Sequence, residues 1–374
     1  MHVLGDISVE TFLRDYWQKK PLLIRNAWPG FEPLLSAEEL AGLSLDEEVE
    51  SRLIQEHGED GPWQLKCGPF TEDDFRQLPD SHWTLLVQAV DHWLPEACEL
   101  LEQFRFIPGW RRDDLMISYA TDGGSVGPHY DQYDVFLLQA EGQREWRLGQ
   151  HCDSHSACLQ GPAIRVLEQF EQNDSWILNP GDMLYLPPQL AHYGIARGEC
   201  MTYSIGFRAP AASDLADTLA DQLSMCKNED WRYQDPDLEP RQDDAEITAS
   251  DAQRMLKALQ QAPIDQLQAA LGQLMTEAKY PELVPEDLPD AQLSDAEHWQ
   301  RPGFVRMAYS QDTCLRLYVM GEAYAIDAND LEWVRYLCQQ RRYTADRLHP
   351  PELTTDSRQV LDTLIQRQLL QPED

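Results

Sequence analysis

Between Leu115 and Arg208 the chain reads as short apolar segments separated by turn signals, and this pattern restricts the possible folds more than any other feature of the sequence. Leu115-Met116-Ile117-Ser118-Tyr119-Ala120 is a strand, and Thr121 to Gly127 is a glycine-rich turn. Asp134–Gln139 and Arg144–Leu148 are predicted as two strands joined by Glu141-Gly142-Gln143. Asn179-Pro180-Gly181-Asp182 is a turn that delivers Met183–Leu186, which Pro187-Pro188 then ends, and Met201 to Phe207 is a further strand. Many short strands with punctuation at regular spacing indicate a β-sandwich or barrel. Barrels of the jelly-roll type can hold a ligand at the mouth.

Within this region Val126-Gly127-Pro128-His129-Tyr130-Asp131 stands out. Residues two apart on an extended strand share a face, so His129 and Asp131 would aim an imidazole and a carboxylate into one space. His192, which follows Pro187-Pro188-Gln189-Leu190-Ala191, could add a second imidazole from a strand returning beside the first. Two nitrogens and one oxygen with positions left open suit non-haem ferrous iron. A histidine at a strand end is more often structural, Asp131 could be a turn aspartate, and His192 could cap a loop. It is the combination that carries weight. His151 and His155, in the polar run His151-Cys152-Asp153-Ser154-His155, read as solvated.

Arg144 supplies an independent argument. Strand parity places it with Trp146 and Leu148. If those two face the barrel interior, so does the guanidinium, and a buried cation is costly unless an anion pairs with it. A bound dicarboxylate would satisfy it bidentately. The alternatives are that Glu145 and Arg147 face inward, or that Arg144 pairs with a structural acid.

The flanking regions are different in character. Before the strand region, Val9 to Lys20 has helical periodicity, and Ser36-Ala37-Glu38-Glu39 and Thr71-Glu72-Asp73-Asp74 open capped helices. Val49–Ile54 and Trp63–Lys66 read as strands, while Trp83 to Val90 fits a strand or a helix edge. After Pro210 three leucine-striped helices are predicted: Asp214 to Lys227, Ala249 to Gln261 and Ile264 to Ala278. Links run from Asp235 to Asp244 and from Tyr280 to Pro289. The tail has strands near Val305–Ala308, Cys314–Val319 and Ala323–Ile326, then helices at Asp330–Gln340 and Ser357–Leu370, a layout like a winged helix.

Composition narrows the functional class. Among 374 residues, 30 basic and 65 acidic side chains give a net charge of −35. Direct nucleic-acid binding is disfavoured, since phosphate contacts need a basic face. An acidic surface attracts basic partners, although solubility or adaptation to salt explains it equally well. No apolar run approaches the ~20 residues of a membrane span. The amino terminus lacks the basic and apolar regions of a secretory signal. The eight cysteines form no Cys-x-x-Cys pair, and they fit a reducing cytoplasm, which would also help to keep iron ferrous.

His129-Tyr130-Asp131, Arg144, the Pro180-Gly181-Asp182 turn and His192 resemble the cupin-type core of the JmjC-class 2-oxoglutarate oxygenases. The longer phrases from Val126 to Phe136 and from Tyr203 to Pro210 resemble the bacterial ribosomal oxygenases, which hydroxylate an arginine of the sixteenth large-subunit ribosomal protein. The resemblance implies an α+β multidomain fold. Residues 1–212 would form a JmjC-type double-stranded β-helix, 213–297 a helical dimerisation region and 298–374 a winged-helix-like domain. It also implies Fe(II), 2-oxoglutarate and O2, with His129, Asp131 and His192 as iron ligands. Arg144 would grip the distal carboxylate of 2-oxoglutarate, Ser118 would bond the same carboxylate and Ser204 would line the pocket. The implied partners are a basic ribosomal protein and a second copy of the chain.

A substrate arginine needs an anionic or aromatic cradle, for which Tyr119, Asp122, Tyr133 and Asp134 are candidates, although parity turns Asp134 away from His129. Competing readings are a histidyl hydroxylase, a lysine demethylase and a non-catalytic cupin binding module. A DNA-binding regulator is suggested by the tail, where Arg335, Arg341 and Arg342 are diluted by Glu332 and other acids.

Overall fold

The computed structural model describes residues 3–58, 61–161, 163–225, 234–238, 247–285 and 296–373. They form two compact units, Met1–Ala209 and Pro210–Asp374.

The first unit is built on a nine-stranded antiparallel sheet. Its strands are β1 (Leu22–Ile24), β2 (Ser51–Gly58), β3 (Gly61–Cys67), β4 (Trp83–Val87), β5 (Arg112–Ala120), β6 (Asp134–His151), β7 (Asp174–Leu178), β8 (Met183–Leu186) and β9 (Leu190–Phe207). The order is β1-β8-β6-β9-β5-β4-β2-β3, with β7 on the far half of β6. Four short helices, α1 (Val9–Asp15), α2 (Ala37–Leu43), α3 (Glu72–Arg76) and α4 (Pro95–Leu101), come from the amino-terminal half. Ser36 with Glu39 and Thr71 with Asp74 form the capping boxes their spacing predicts. The first helix stops at Asp15, short of the expected Lys20. Gln18 turns left-handed at φ 57° and donates its backbone N–H to the Tyr185 hydroxyl.

The sequence expectation of two strands around Glu141-Gly142-Gln143 is corrected. β6 is one strand of 18 residues that pairs with β9 on both sides of this segment. The register shifts between Gln139 and Gln143, so the three residues bend the strand without reversing it. Gly142 sits at φ +61°, and a Cβ there would lie 2.0 Å from the Glu199 carbonyl oxygen. Met201–Phe207 is likewise the second half of one 18-residue strand, β9, so His192 is the third residue of β9. Trp83 to Val90 resolves as β4 followed by a 3-10 turn at Val90–His92.

The two faces of β6 serve two cores. Phe136, Leu138 and Ala140 join the large cluster that includes Phe12, Phe104, Tyr185 and Phe207. Val135 and Leu137, then Trp146 and Leu148 beyond the bend, face the other way with Leu178, Leu184, Leu186 and Leu190. This second face lines the barrel interior and positions the site.

The second unit contains α5 (Ala212–Met225), α6 (Ala249–Leu259) and α7 (Ile264–Thr276). After these come β10 (His298–Gln300), β11 (Met307–Ser310), β12 (Arg316–Val319), β13 (Glu322–Ala325), α8 (Leu331–Gln339), β14 (Arg342–Thr344), α9 (Ala345–Leu348), α10 (Thr355–Gln366) and β15 (Gln371–Pro372). There are two small sheets, β14-β10-β15 and β11-β12-β13. α7 packs on both α5 and the β11-β12-β13 sheet, so the helical region and the tail share one unit. At that contact Gly272 lies against Tyr318, where a Cβ would come within 2.5 Å of the ring. The last helix ends at Gln366, because Gln368 adopts φ 55° and folds Leu369 and Leu370 back into the core. Of the two predicted links, residues 239–244 and 286–289 lie outside the described residues.

Candidate active site

His129 reaches the site from a loop, where the sequence had suggested a strand. It forms a single antiparallel bridge with His192: His129 N–H donates to the His192 carbonyl at 3.0 Å, and His192 N–H returns to the His129 carbonyl at 2.8 Å. The Asp131 carbonyl accepts the Gln189 N–H at 2.7 Å. The loop is thereby stitched to the start of β9, which brings all three side chains together. Their ligand atoms lie within 4.8 Å of one another. His192 Nε2 is 3.6 Å from an Asp131 carboxylate oxygen, and the two imidazole centroids are 4.3 Å apart.

The hydrogen bonds fix the tautomers. His129 Nδ1 lies 2.9 Å from the Gly127 carbonyl and His192 Nδ1 lies 2.9 Å from the Leu190 carbonyl. A carbonyl only accepts, so each Nδ1 carries the proton and each Nε2 keeps a free lone pair. Burial of His192, reinforced by His129, pulls its pKa down to about 4 against the opposing pull of Asp131 and the Leu190 carbonyl. The ring is therefore neutral near pH 7, as a metal ligand must be. Two imidazole nitrogens and a carboxylate on one side of a site form the donor set of a non-haem iron centre.

Arg144 is 4% exposed on β6, opposite Ala196 of β9 and Leu178 of β7. Its Nε and Nη2 are buried without a hydrogen-bond partner. Parity is as the sequence suggested: Arg144, Trp146 and Leu148 are buried, while Glu145 and Arg147 pair with each other at 2.9 Å. The first alternative for Arg144 is thereby overturned. The guanidinium carbon is 5.7 Å from the Trp146 ring centroid, and that ring is 5.9 Å from His192. A buried, unpaired cation near a metal-type donor cluster fits a dicarboxylate.

Ser118 on β5 is 2% exposed and donates to the Thr202 carbonyl of β9 at 3.3 Å. Ser204, opposite Met116 of β5 and Leu137 of β6, is buried in β9. Sequence reasoning missed two buried polar atoms without partners, the Thr84 hydroxyl of β4 and the Trp146 indole nitrogen. Parity pointed to Trp146 as inward but said nothing of its N–H.

Of the four cradle candidates, Tyr133 is the exposed one closest in sequence to Asp131. It is 43% exposed, and the neighbouring Asp131 carboxylate pushes its phenol pKa up. Asp134 is fully buried and accepts from Tyr185 Oη at 2.6 Å and Gln18 Nε2 at 2.9 Å, so it ties the segment after α1 to β6. Asp122 caps the Gly198 N–H at 2.7 Å, and Tyr119 packs on Trp83 with ring centroids 5.5 Å apart. His151 and His155 are exposed, as expected. Cys67, Cys152, Cys158, Cys200, Cys314 and Cys338 are free thiols.

A JmjC domain family model matches residues 99–215, which contain this site. A Haemophilus influenzae protein named "Probable ribosomal oxygenase" is 35% identical over 341 residues, 84% of this chain and 82% of that one. The Escherichia coli "Ribosomal protein uL16 3-hydroxylase" is 40% identical over 244 residues, 65% of this chain and 64% of that protein. The crystal structure of Escherichia coli ycfD covers 99% of both chains at 31% identity and a TM-score of 0.83. Another structure of that ribosomal oxygenase, in complex with cobalt and 2-oxoglutarate, gives the same coverage and identity at a TM-score of 0.81. Fold and site together define a JmjC-type oxygenase domain on a cupin barrel. Within that class, the chain belongs to the ribosomal oxygenase family.

Proposed function

We propose that this chain is an Fe(II)- and 2-oxoglutarate-dependent protein hydroxylase acting on an arginine of a large-subunit ribosomal protein, the sixteenth. The observation that carries the reading is the unpaired, buried Arg144 guanidinium beside a cluster of two imidazoles and a carboxylate. His129, Asp131 and His192 would hold the ferrous ion, Arg144 the distal carboxylate of 2-oxoglutarate, and Ser118 and Ser204 would line the same pocket. When bound, iron, 2-oxoglutarate and O2 supply an oxidation that places one oxygen atom on an unactivated carbon and releases succinate and CO2. The chain's own contribution is geometric. The two Nδ1–H bonds aim both Nε2 lone pairs at one point, and Leu148, Leu178, Leu184 and Leu186 keep the interior dry.

The substrate assignment is supported by the name of the Escherichia coli relative, by a net charge of −35 that favours basic proteins, and by Tyr133 beside Asp131 at the mouth. Self-association through the helical region is supported by α6, which exposes Met255, Leu256 and Leu259 on one face, and by α5, which has no buried residue. We read the tail as a winged-helix-like module that meets protein. On its helix α8, Arg335 is already paired with Glu332 at 2.6 Å. Among the described residues no helix is long and apolar enough to cross a membrane.

The test is incubation of the protein with ferrous iron, 2-oxoglutarate, air and the purified ribosomal protein, followed by fragment mass spectrometry. One added oxygen atom on an arginine, with matching succinate, is the expected result. Oxidation of a histidine would transfer the assignment to the rival hydroxylase reading, and absence of both products would end it.

A further inference from the structure

On the inner face of β6, two neighbouring groups have buried nitrogen atoms that no other atom satisfies. They are Arg144, through Nε and Nη2, and Trp146, through its indole Nε1. A buried N–H without an acceptor is destabilising, and native interiors tolerate few of them. The arginine is accounted for by a dicarboxylate, whereas the indole has so far been left unexplained.

Its position is informative. Trp146 lies between Arg144 and the metal-type cluster along the strand: Arg144 pairs with Ala196, Trp146 with Gly194 and Leu148 with His192. The ring touches both neighbours, 5.7 Å from the guanidinium carbon and 5.9 Å from the His192 centroid. A diacid held by Arg144 at one end and reaching the cluster at the other must therefore pass the indole. Opposite the ring, Gly194 is the residue that makes room for it. A Cβ at Gly194 would lie 2.7 Å from two atoms of the benzo ring, closer than any relaxed side chain permits.

We propose that Trp146 is a positioning residue of the diacid subsite: its indole N–H is donated to the dicarboxylate seated on Arg144, and Gly194 sets the depth of the ring. The proposal rests on the 2-oxoglutarate reading above, and it adds a donor and a spacing element to that reading. It also predicts an asymmetry between the free and bound protein. Without ligand the N–H is an unmet donor, so removing it costs the free protein little. With ligand the same removal loses a hydrogen bond.

The experiment is calorimetric titration of 2-oxoglutarate into the zinc-loaded protein, with thermal unfolding of each sample with and without the diacid. In W146F, which keeps a ring and loses the donor, 2-oxoglutarate should bind about 5- to 20-fold more weakly. W146F also leaves a cavity in the inner-face core, so its ligand-free Tm should fall by a few degrees, and each titration is run with zinc saturating so that only the diacid step is compared. G194A should also weaken the diacid by pushing the ring inward. If W146F does not fold, the wild type decides alone. One indole N–H signal of 15N-labelled protein should then move downfield when 2-oxoglutarate is added, and its absence would overturn the proposal. Equal diacid affinity in W146F and wild type would also overturn it. A wild type that binds no 2-oxoglutarate with any metal would instead overturn the reading on which it rests.

Discussion

Arg144 is the residue whose surroundings make least sense for a chain acting alone. Its guanidinium is buried with two nitrogen atoms unmet, so replacing it with an apolar side chain removes a penalty from the ligand-free protein. R144M should be no less stable than wild type, and up to about 4 kcal/mol more stable, in thermal unfolding without ligand. The same variant should need roughly 30- to 1,000-fold more 2-oxoglutarate for half-maximal succinate release, the cost of truncating one side of a desolvated charge pair. D131A should abolish turnover while leaving the barrel folded, measured as succinate release alongside circular dichroism. Glu145, on the opposite parity from Arg144, gives a pH prediction. Arg147, then Arg197 and Ser175, outweigh burial and hold its carboxyl down at about 2. The stabilisation is fully present above the ordinary value near 4.5 and is lost as pH falls from there toward 2. E145Q should lose about 1–2 kcal/mol at pH 7, after allowing for solvent screening, and should flatten the stability profile between pH 4.5 and 2.

At the scale of elements, the bend in β6 decides where Arg144 points. Gly142 is left-handed and would press a Cβ onto the Glu199 carbonyl at 2.0 Å, so G142A must shift one strand of the central pair. It should cost about 1–3 kcal/mol in denaturant unfolding and lower diacid affinity, since the register of Arg144 follows the bulge. This segment also shows what the sequence could and could not convey. Glu141-Gly142-Gln143 has the composition of a turn, and a glycine with positive φ serves a hairpin or a bulge equally well. Only pairing with β9, whose residues come some 60 positions later, distinguishes them. Parity within Arg144–Leu148 is local and was legible, as were the two capping boxes. His129 was placed on a strand because its i, i+2 spacing with Asp131 suits one. The structure reaches a similar convergence through a one-residue bridge to His192 that no local pattern announces. The orphaned indole of Trp146 and the buried role of Asp134 depend on residues from distant strands and helices, so they too were invisible to local reading.

At the scale of the whole molecule, the net charge and the exposed face of α6 give predictions about the proposed partners. With a net charge of −35, capture of a basic protein should slow as salt is raised from 50 to 500 mM, which stopped-flow association rates would record. The self-association proposed for the exposed stripe of Met255, Leu256 and Leu259 on α6 predicts that the wild type sediments as a dimer and that M255D/L256D/L259D sediments nearer the monomer. In that variant, metal binding in the first unit should be unchanged. The acidic bias that argued against nucleic-acid binding is a property of composition and could be read without coordinates. The packing of α7 on the β11-β12-β13 sheet, which joins helical region and tail into one unit, could not, because Gly272 reads as a helix-weakening residue until Tyr318 is seen against it.

The central claim is that two imidazoles and one carboxylate share a single ion while Arg144 seats a diacid. The most direct measurement is a crystal structure of the protein with manganese and 2-oxoglutarate, using anomalous scattering to locate the metal. The account predicts one ion bound by His129 Nε2, Asp131 and His192 Nε2, with a carboxylate of the diacid on Arg144. An ion elsewhere, or a diacid that leaves the Arg144 guanidinium unpaired, would contradict it.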